Sequence, residues 1–411
     1  MSWRFENLSH EEILGRARGH VFSTGVDDSA DMLCRANMSY GIAMTHCVQH
    51  ELGLEPDATF VGAPDATVTR NEKRWKSGFG YGGKISWGPG DEKLIILNSM
   101  PNACGMLVGE MDKLPSMDML LERLSDIMSE EDEVDGISME WDFAIGNHFI
   151  DLYRCRPISP DDDSHLHYAF IIHGSVPELK GDNETKFGFG LYYHKSKILR
   201  EMAEVMETPF GDAHILTGDS VSKYMELHKF AVELSQKKRL RAAKRLFDDF
   251  VEVANPVHQG LLSMNRIALG CQDSDQKTPK GLLPIALRSD LPAYLVRGKP
   301  NLKEETVEHL GFMKRAEKYD VMDRLLNANI LPHGGGYHFP AILSVNRVVE
   351  DGRKSRFFVL DVATGHETEE VISNPRELEF TYRGRQVVNR SVSLGLCDVE
   401  VRLMPRLVVK I

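Results

Sequence analysis

The sequence predicts an α+β fold, and three observations support this prediction. Strand-like and helical segments follow one another in groups along the 411 residues, without the regular strand–helix alternation of a parallel α/β sheet. Hydrophobic residues make up 42% of the chain, which is enough for a large core in one elaborate domain or two. No internal repeat and no Pro-, Gly- or Ser-rich linker divides the sequence. We therefore expect mixed β-sheets with helices at their periphery.

The spacing of apolar residues assigns the individual elements. Strands are expected where short apolar runs lie between turn residues, at 59–110, 137–153, 166–174 and 356–411. Helices are expected where apolar residues recur every three or four positions, at 119–128, 219–253 and 303–328. One predicted strand, Glu140–Tyr153, is apolar on both faces, which is typical of a buried strand. Asn147 and His148 lie at its centre, although a buried amide or imidazole is costly unless it is bonded.

The composition narrows the class of protein. A net charge of −12 argues against indiscriminate binding to nucleic acids, because affinity for phosphates comes chiefly from Lys and Arg. The basic run Lys237–Arg245 is a candidate for a local groove, although such runs are more often solvated helix faces. Six scattered cysteines without a CxxC pair suit a reducing cytoplasm. Since there is no secretory signal and no apolar run of the roughly 18 residues that span a membrane, we expect a cytoplasmic protein without membrane contact.

Five polar residues stand close to glycines in, or at the end of, apolar segments. They are Cys104 in PNACGM, His148 in IGNHF, His173 in FIIHGS, His258 in NPVHQG and His333 in LPHGGGYHFP. Each one alone is more often structural, as a buried thiol, a hydrogen-bonded or capping histidine, or part of a glycine-rich turn. A thiolate and several imidazoles that converge from separate strands would instead bind Mn²⁺, Zn²⁺ or a related divalent ion. Such a site would explain the polar centre of the Glu140–Tyr153 segment.

Several short motifs occur in an order that is characteristic of one known family. They are CGM at 104–106, GNHF at 146–149 with Asp151 two positions on, IHG at 172–174, His258, KG at 280–281, AYLVRGKPN at 293–301, HGGG at 333–336 and a penultimate Lys410. Together they span roughly residues 60–411, and GNHF with the ordered histidines is the most specific part. The chain thus resembles the RtcB-type RNA ligases. These are GTP- and manganese-dependent enzymes that join RNA 3′-phosphate or 2′,3′-cyclic phosphate ends to 5′-hydroxyl ends.

The resemblance implies a single domain over residues 1–411, built around a metal and nucleotide cleft. Its parts would be a variable N-terminal region at 1–58, a metal- and nucleotide-binding body at 59–352, and a strand-rich part at 353–411 that closes the guanine site. The implied partners are GTP and RNA with 3′-phosphate and 5′-hydroxyl ends, with an accessory activator as a further candidate. The implied roles are tRNA splicing or RNA repair, and the implied metal is Mn²⁺, with Zn²⁺ or another divalent ion as the alternative.

The resemblance also implies a role for each site residue. His333 would be the catalytic acceptor, whose imidazole nitrogen attacks the α-phosphate of GTP. The implied metal ligands are Cys104, His148, His173 and His258. The implied nucleotide contacts are Asn147, Phe149, Asp151, Tyr294, Gly334, Gly335, Gly336 and Lys410. A carboxylate such as that of Asp151 accepts from the N1–H and N2–H₂ donors of guanine, and glycines let backbone amides approach a phosphate.

One departure from the family pattern affects the metal site. Pro101 stands where the family has a metal-binding aspartate, three residues before the cysteine. Proline has no side-chain ligand atom, so one of the family's two metal positions lacks its carboxylate. Asn102, Asp112 and Asp65 are the candidates to replace it.

Other departures affect the nucleotide site. Leu287–Asp290, with the sequence LRSD, replaces a glycine-rich phosphate loop, and Ala293 stands where the family has a serine near the guanine. His309 lies nearer the usual spacing of the acceptor, but only His333 is followed by matching glycines. Two other functions therefore stay open. They are a metal-dependent phosphodiesterase or phosphatase on the same scaffold, and a non-catalytic protein that binds nucleotide or RNA.

Overall fold

The computed structural model describes residues 5–143, 145–158, 167–351, 355–363 and 368–409. Over these residues the protein is a mixed α+β structure with one large curled sheet, several small sheets and helices packed against them. The fold class predicted from the sequence is thus confirmed. Among the described helices, none combines the length and the apolar character that a bilayer span requires.

Helices and strands alternate in groups along the chain. The described α-helices, α1 to α10, span His10–Gly19, Ser29–Glu51, Glu72–Lys76, Met117–Ser129, Lys197–Met202, Gly218–Leu246, Glu304–His309, Met313–Lys318, Met322–Leu326 and Gln386–Ser393. The described strands, β1 to β24, span Val21–Ser23, Thr59–Thr67, Tyr81–Ser86, Leu94–Ile96, Cys104–Met111, Glu133–Val134, Ile137–Ser138, Phe149–Pro157, Tyr168–Gly174, Glu204–Thr208, Gly211–Thr217, Val251–Ala254, Val257–Ser263, Arg266–Leu269, Cys271–Asp273, Leu283–Ile285, Ala293–Gly298, Ile330–Pro332, Tyr337–His338, Ile342–Glu350, Arg356–Val362, Glu369–Ile372, Thr381–Tyr382 and Cys397–Val409.

In the described part of the chain, a twelve-stranded sheet forms the body of the protein. Its strands lie in the order β1-β2-β3-β14-β13-β5-β9-β8-β24-β17-β16, and β12 pairs with β5. β1 and β2 run parallel, whereas the neighbouring strands from β2 to β16 run antiparallel. Because β1 belongs to this sheet and α2 is buried along most of its length, the N-terminal region is part of the same body.

Helix α6 packs across the middle of the large sheet. It contacts β5, β9 and β13, which are neighbours in the sheet. Tyr224, Leu227 and Leu234 on its inner face are fully buried. Their spacing of three and seven residues places them on one stripe of the helix. The helix thereby fixes the strands that carry the candidate site.

Two of the predicted helices differ from the structure in extent. α6 ends at Leu246 rather than at 253, because the residues from Val251 onward pair with β5 as strand β12. The helix predicted at 303–328 consists of three short helices, α7 to α9. Gly311 and Asp320 separate them with φ angles of 70° and 53°, and a left-handed residue cannot continue a right-handed helix. The helix predicted at 119–128 is confirmed as α4.

The predicted strand Glu140–Tyr153 is wrong in its first half. Pairing with the neighbouring strands begins only with β8. Gly146 has a φ angle of 71° and lies in a turn that precedes the strand. Asn147 is therefore exposed rather than central in a buried strand, and His148 lies at the end of the turn. The predicted strands at 59–110 and 166–174 are present as β2 to β5 and β9, and the strand-rich tail also contains helix α10.

Candidate functional site

The ends of four neighbouring strands bring the predicted metal ligands together. Cys104 is the first residue of β5, and His173 lies near the end of the adjacent β9. Phe149 opens β8 opposite His173, so that His148, which precedes it, also reaches this edge. On the other side of β5, the pairing of β13 is interrupted by a bulge at His258. Such bulges redirect a side chain, and they are common beside functional sites.

Cys104, His173 and His258 form a buried cluster that can hold a metal ion. Their ligand atoms all lie within 4.8 Å of one another. Cys104 Sγ is 3.1 Å from His173 Nε2, which is in turn 3.2 Å from His258 Nε2. His148 adds a fourth nitrogen, since its Nε2 lies 3.4 Å from the same sulfur. The sequence prediction of a convergent thiol and imidazole site is therefore confirmed as geometry.

Hydrogen bonds at the outer nitrogens orient two of these rings. His173 Nδ1 lies 3.0 Å from the backbone oxygen of Asn147, and His148 Nδ1 lies 3.0 Å from Asp142 Oδ2. Because an oxygen acceptor requires a proton on Nδ1, the lone pair of each neutral ring is on Nε2 and points into the cluster. The lone pair of His173 thus faces Nε2 of His258, which either donates a proton to it or, in its other tautomer, faces a shared cation together with it.

The electrostatics of the cluster also favour a cation. Burial raises the pKa of the Cys104 thiol, but the adjacent His173 and His148 outweigh burial and bring it well below its ordinary value. Burial lowers the pKa of the His148 imidazole, but the charges of Cys104 and Asp142 prevail and raise it to about 10. Burial lowers the pKa of His173, and it lowers that of His258 to about 3. A thiolate beside neutral imidazoles is the form in which these side chains bind metals, and an ion would replace the proton on His148.

His333 lies beside the cluster, with its ring centre 4.4 Å from that of His258. Its Nδ1 is 2.8 Å from Asp65 Oδ2, and the same oxygen accepts the backbone N–H groups of His333 and Gly334 at 3.1 and 3.3 Å. Asp65 is fully buried in β2. Because Asp65 holds the proton on Nδ1, the neutral ring of His333 keeps a lone pair on Nε2.

The glycines after His333 are required by close packing of the backbone. A Cβ on Gly335 would lie 2.5 Å from the backbone oxygen of Arg383, and a Cβ on Gly336 would lie 2.5 Å from that of Asp65. Gly336 also has a φ angle of 67°, which side-chain-bearing residues rarely adopt. The loop of residues 334–336 therefore lines the cleft with bare backbone.

A fully buried guanidinium fixes this glycine loop. Arg383 Nε and Nη2 donate to the two carboxylate oxygens of Asp28 at 2.7 and 2.6 Å. Nη2 also donates to the backbone oxygen of Ala66 at 2.9 Å, and the backbone N–H of Arg383 donates to Gly336 at 3.1 Å. Asp28 is the N-cap of α2. Arg383 thus joins the start of α2, the strand that carries Asp65 and the glycine loop.

The metal cluster and His333 open into one cleft with a volume of about 610 Å³. This size is within the usual range for small-molecule sites. The Lys and Arg residues in its lining are Arg70, Arg74, Lys180, Lys195, Arg288 and Arg376. The lining contains a single acidic residue, Asp151, among the residues that the structure describes. The cleft is therefore cationic, although the whole chain carries a net charge of −12.

The structure brings some of the predicted nucleotide contacts into this cleft. Asn147, Phe149 and Asp151 all line it. Tyr294 does not line it, because its side chain is buried in an apolar cluster on β17. Lys410 lies outside the described residues.

The candidates to replace the carboxylate missing at Pro101 have different positions. Asn102 lines the cleft, and its Oδ1 accepts the backbone N–H of Cys104 at 3.0 Å. Asp112 is exposed just beyond the last residue of β5, which puts it about 25 Å along the strand from Cys104. Asp65 bonds to His333. In the described structure the clustered donors are therefore one sulfur and imidazole nitrogens.

The two candidate acceptor histidines have unlike surroundings. His309 is exposed at the end of α7 and does not line the cleft. His333 is 7% exposed and lines it beside the metal cluster.

In the segment LRSD, Arg288 and Asp290 bond to each other, with Nε and Oδ1 2.5 Å apart. Arg288 thus balances the acidic residue that the sequence places near the nucleotide.

Sequence reasoning missed Asp142, Lys180 and Arg383. Asp142 lies six residues before His148, and a carboxylate near a metal-binding histidine is a signal that could have found it. Arg383 contributes through contacts with distant segments, and Lys180 contacts Tyr192 within its own loop, so neither belongs to a recognisable local motif.

No protein-family profile matches the chain, and no curated protein matches it. A functional proposal therefore rests on the geometry of the cleft.

Proposed function

We propose that the protein is a GTP- and Mn²⁺-dependent RNA ligase of the RtcB type, which joins RNA 3′-phosphate or 2′,3′-cyclic phosphate ends to 5′-hydroxyl ends. The observation that carries this proposal is the position of His333. Its Nδ1 is held by the buried Asp65, and its ring adjoins that of His258 in the metal-binding cluster. A histidine nucleophile, a metal site and a cationic cleft are the parts that nucleotidyl transfer to a histidine requires.

The donors present fit a divalent ion. A thiolate and imidazole nitrogens converge in a buried pocket, and two of the rings are oriented by bonds at their outer nitrogens. When bound, such an ion neutralises charge on the phosphoryl oxygens. Thiolate and imidazole ligands without a carboxylate suit Zn²⁺ at least as well as Mn²⁺, so we keep Zn²⁺ as the alternative metal.

The chain's own residues account for the first half-reaction. His333 Nε2 attacks the α-phosphorus of GTP, and the new N–P bond replaces the bond to pyrophosphate, which leaves with the electron pair. Asp65 keeps the proton on Nδ1 and compensates the positive charge that the ring acquires. A phosphate oxygen at the RNA 3′ end then takes the guanylate from His333. Finally, the 5′-hydroxyl oxygen attacks the activated phosphate, the new P–O bond replaces the bond to GMP, and the hydroxyl proton passes to the departing GMP. A 2′,3′-cyclic phosphate would first be opened to the 3′-phosphate by water.

The cleft also offers contacts for the nucleotide. Phe149 would present an aromatic ring to the base. Asp151 would present its carboxylate to the donor edge of guanine, although one of its oxygens already accepts the Tyr153 hydroxyl at 2.9 Å. Asn147 and the backbone of residues 335 and 336 line the same cleft and would offer donors to phosphate oxygens, whereas the N–H of Gly334 already donates to Asp65. We assign these groups to GTP binding as part of the proposal.

The test is intact-protein mass spectrometry after incubation with GTP and Mn²⁺. We expect a mass gain of one guanylate in the wild type and in His309→Ala, and none in His333→Ala. The two histidine variants are a matched pair, because each removes one imidazole and only His333 lies beside the metal cluster. An adduct on His309, or equal labelling of both variants, would contradict the assignment of the acceptor.

One observation favours a second function. The missing carboxylate at Pro101 leaves the cluster with sulfur and nitrogen donors, which is sufficient for a site that activates water. A metal-dependent phosphodiesterase or phosphatase would release phosphate or open a 2′,3′-cyclic phosphate without GTP. Bound metal and GTP-independent turnover, with no guanylate on His333, would favour this hydrolase over the ligase.

A further inference from the structure

The basic residues of the chain fall into two groups that differ in their partners. The run predicted as a possible groove, Lys237–Arg245, lies on α6 and is largely neutralised by an acidic loop. Arg241 and Arg245 both bond to Asp132, and Lys237 bonds to Asp135 at 2.6 Å. The run is therefore not an open basic groove. It is a solvated helix face only in part, because Lys238 and Arg239 are buried and bond inward, to Glu178 and to Asn255 and Gly174.

The cations of the cleft have a different environment. Arg70, Lys180 and Lys195 have no carboxylate within ion-pair distance among the residues that the structure describes. The other three in the lining are already occupied, since Arg288 pairs with Asp290, and Arg74 and Arg376 donate to backbone carbonyls. Three uncompensated cations in one cleft of an acidic protein form a site for a polyanion.

Aromatic rings lie beside these cations. Lys180 Nζ is 5.8 Å from the ring centre of Tyr192, and the guanidinium of Arg70 is 4.4 Å from that of Phe380. Tyr192 lines the cleft with Lys180, and Tyr382, a neighbour of Phe380, lines it with Arg70. Positive charges interleaved with rings are typical of grooves that bind single-stranded nucleic acids, where bases stack and phosphates pair with cations.

The segment that carries both lysines is fixed by its own hydrogen bonds. The backbone N–H of Tyr192 donates to the carbonyl of Lys180 at 3.1 Å. Asn183 Nδ2 donates to the carbonyls of Gly181 and Phe189 at 3.1 and 3.0 Å. The two lysines are therefore presented by a closed loop, which lowers the entropy lost when they bind a ligand.

We propose that Lys180 and Lys195, together with Arg70, form an anchor for the phosphodiester backbone of single-stranded RNA. This inference rests on the proposed function, because it assigns the same cleft to the RNA substrate. It adds residues that no sequence motif marked, and it separates strand binding from nucleotide attachment at His333.

The experiment is a fluorescence anisotropy titration of a short labelled oligouridylate with a 3′-phosphate, in the absence of GTP, at several salt concentrations. We expect the double variant Lys180→Gln/Lys195→Gln to lose at least about tenfold in affinity. The slope of log affinity against log salt should fall by about 1.4, since each phosphate contact with a single strand contributes about 0.7. Metal content and thermal unfolding of each variant show whether the fold is kept.

The matched control is Lys244→Gln on α6, which removes an exposed lysine that also lacks a carboxylate partner in the described structure. If the double variant binds RNA like this control, the anchor does not exist. If inorganic tripolyphosphate displaces the RNA as well as unlabelled oligouridylate does, the cations serve a nucleotide phosphate and the strand assignment is wrong. Guanylate attachment is measured separately, so failure of this anchor and failure of the ligase proposal give different results.

Discussion

The two sides of the cleft are built in different ways. On the side of the proposed acceptor, His333 and its glycine loop are held by Asp65 and by the pair between the buried Arg383 and Asp28. On the other side, His148 follows a turn in which Ile145 is 65% exposed. The proposed acceptor is therefore held by buried partners, whereas His148, the proposed fourth metal ligand, follows an exposed turn. We therefore expect substitutions at Asp65 and Arg383 to impair the positioning of His333, and substitutions around His148 to impair metal binding.

The largest effect is expected at the proposed acceptor, with Asp65→Ala. The change removes the oxygen that holds the proton on His333 Nδ1, so the proton can move to Nε2 and remove the attacking lone pair. Removing the aspartate of a catalytic triad lowers the rate by about 10⁴-fold, and we expect guanylate attachment to slow by at least about 10³-fold. Time-resolved mass spectrometry measures this rate, with the exposed Asp112→Ala as the control. An unchanged rate would show that Asp65 does not set the tautomer.

A smaller effect, now on stability, is expected for Arg383→Met. The change leaves the Asp28 carboxylate, which is 19% exposed and also pairs with His338, without its bidentate partner, and we expect a cost of about 2–3 kcal/mol. Urea unfolding should show this loss. The control is Arg347→Met, because Arg347 forms an exposed pair with Glu369 that contributes about 1 kcal/mol at most. Equal losses of stability in the two variants would show that the Arg383–Asp28 pair contributes no more than an exposed ion pair.

On the metal side, Asp142→Asn should weaken metal binding about 10- to 100-fold, which is the usual effect of losing a carboxylate behind a metal-binding histidine. Titration with a competing chelator measures this affinity. Asp126→Asn on the exposed face of α4 provides the control. Wild-type affinity in Asp142→Asn would mean that the Asp142 charge does not support metal binding, since His148 Nδ1 keeps the Asp142 backbone oxygen at 3.1 Å.

The smallest effect tests the exposed turn directly. Ile145→Ala should change the free energy of unfolding by no more than about 0.5 kcal/mol, because the side chain is largely in solvent. The same change at the fully buried Ile150 should cost about 2–5 kcal/mol. A large loss at Ile145 would restore the buried strand that the sequence predicts and remove the contrast between the two sides.

The sequence identified those site residues that a local pattern marks. Cys104, His173 and His258 could be found because each stands at the end of an apolar run, and ends of neighbouring strands meet at one edge of a sheet. The start of β8 could not be found, because alternation continues through the turn and only the left-handed Gly146 ends it. Arg383 was equally hidden, since its partners come from three distant segments.

Arg383 and Asp28 are 355 positions apart in the chain, and this separation has a consequence for synthesis. A ribosome that adds about 5–20 residues per second needs roughly 20 to 70 s to travel from one to the other. During that interval the nascent chain gains every ligand of the metal cluster and then His333, but not the guanidinium that fixes the loop. A translation product that stops before Arg383 would therefore hold the metal ligands without a positioned acceptor. Synthesis past Arg383 thus becomes a condition for positioning the proposed acceptor.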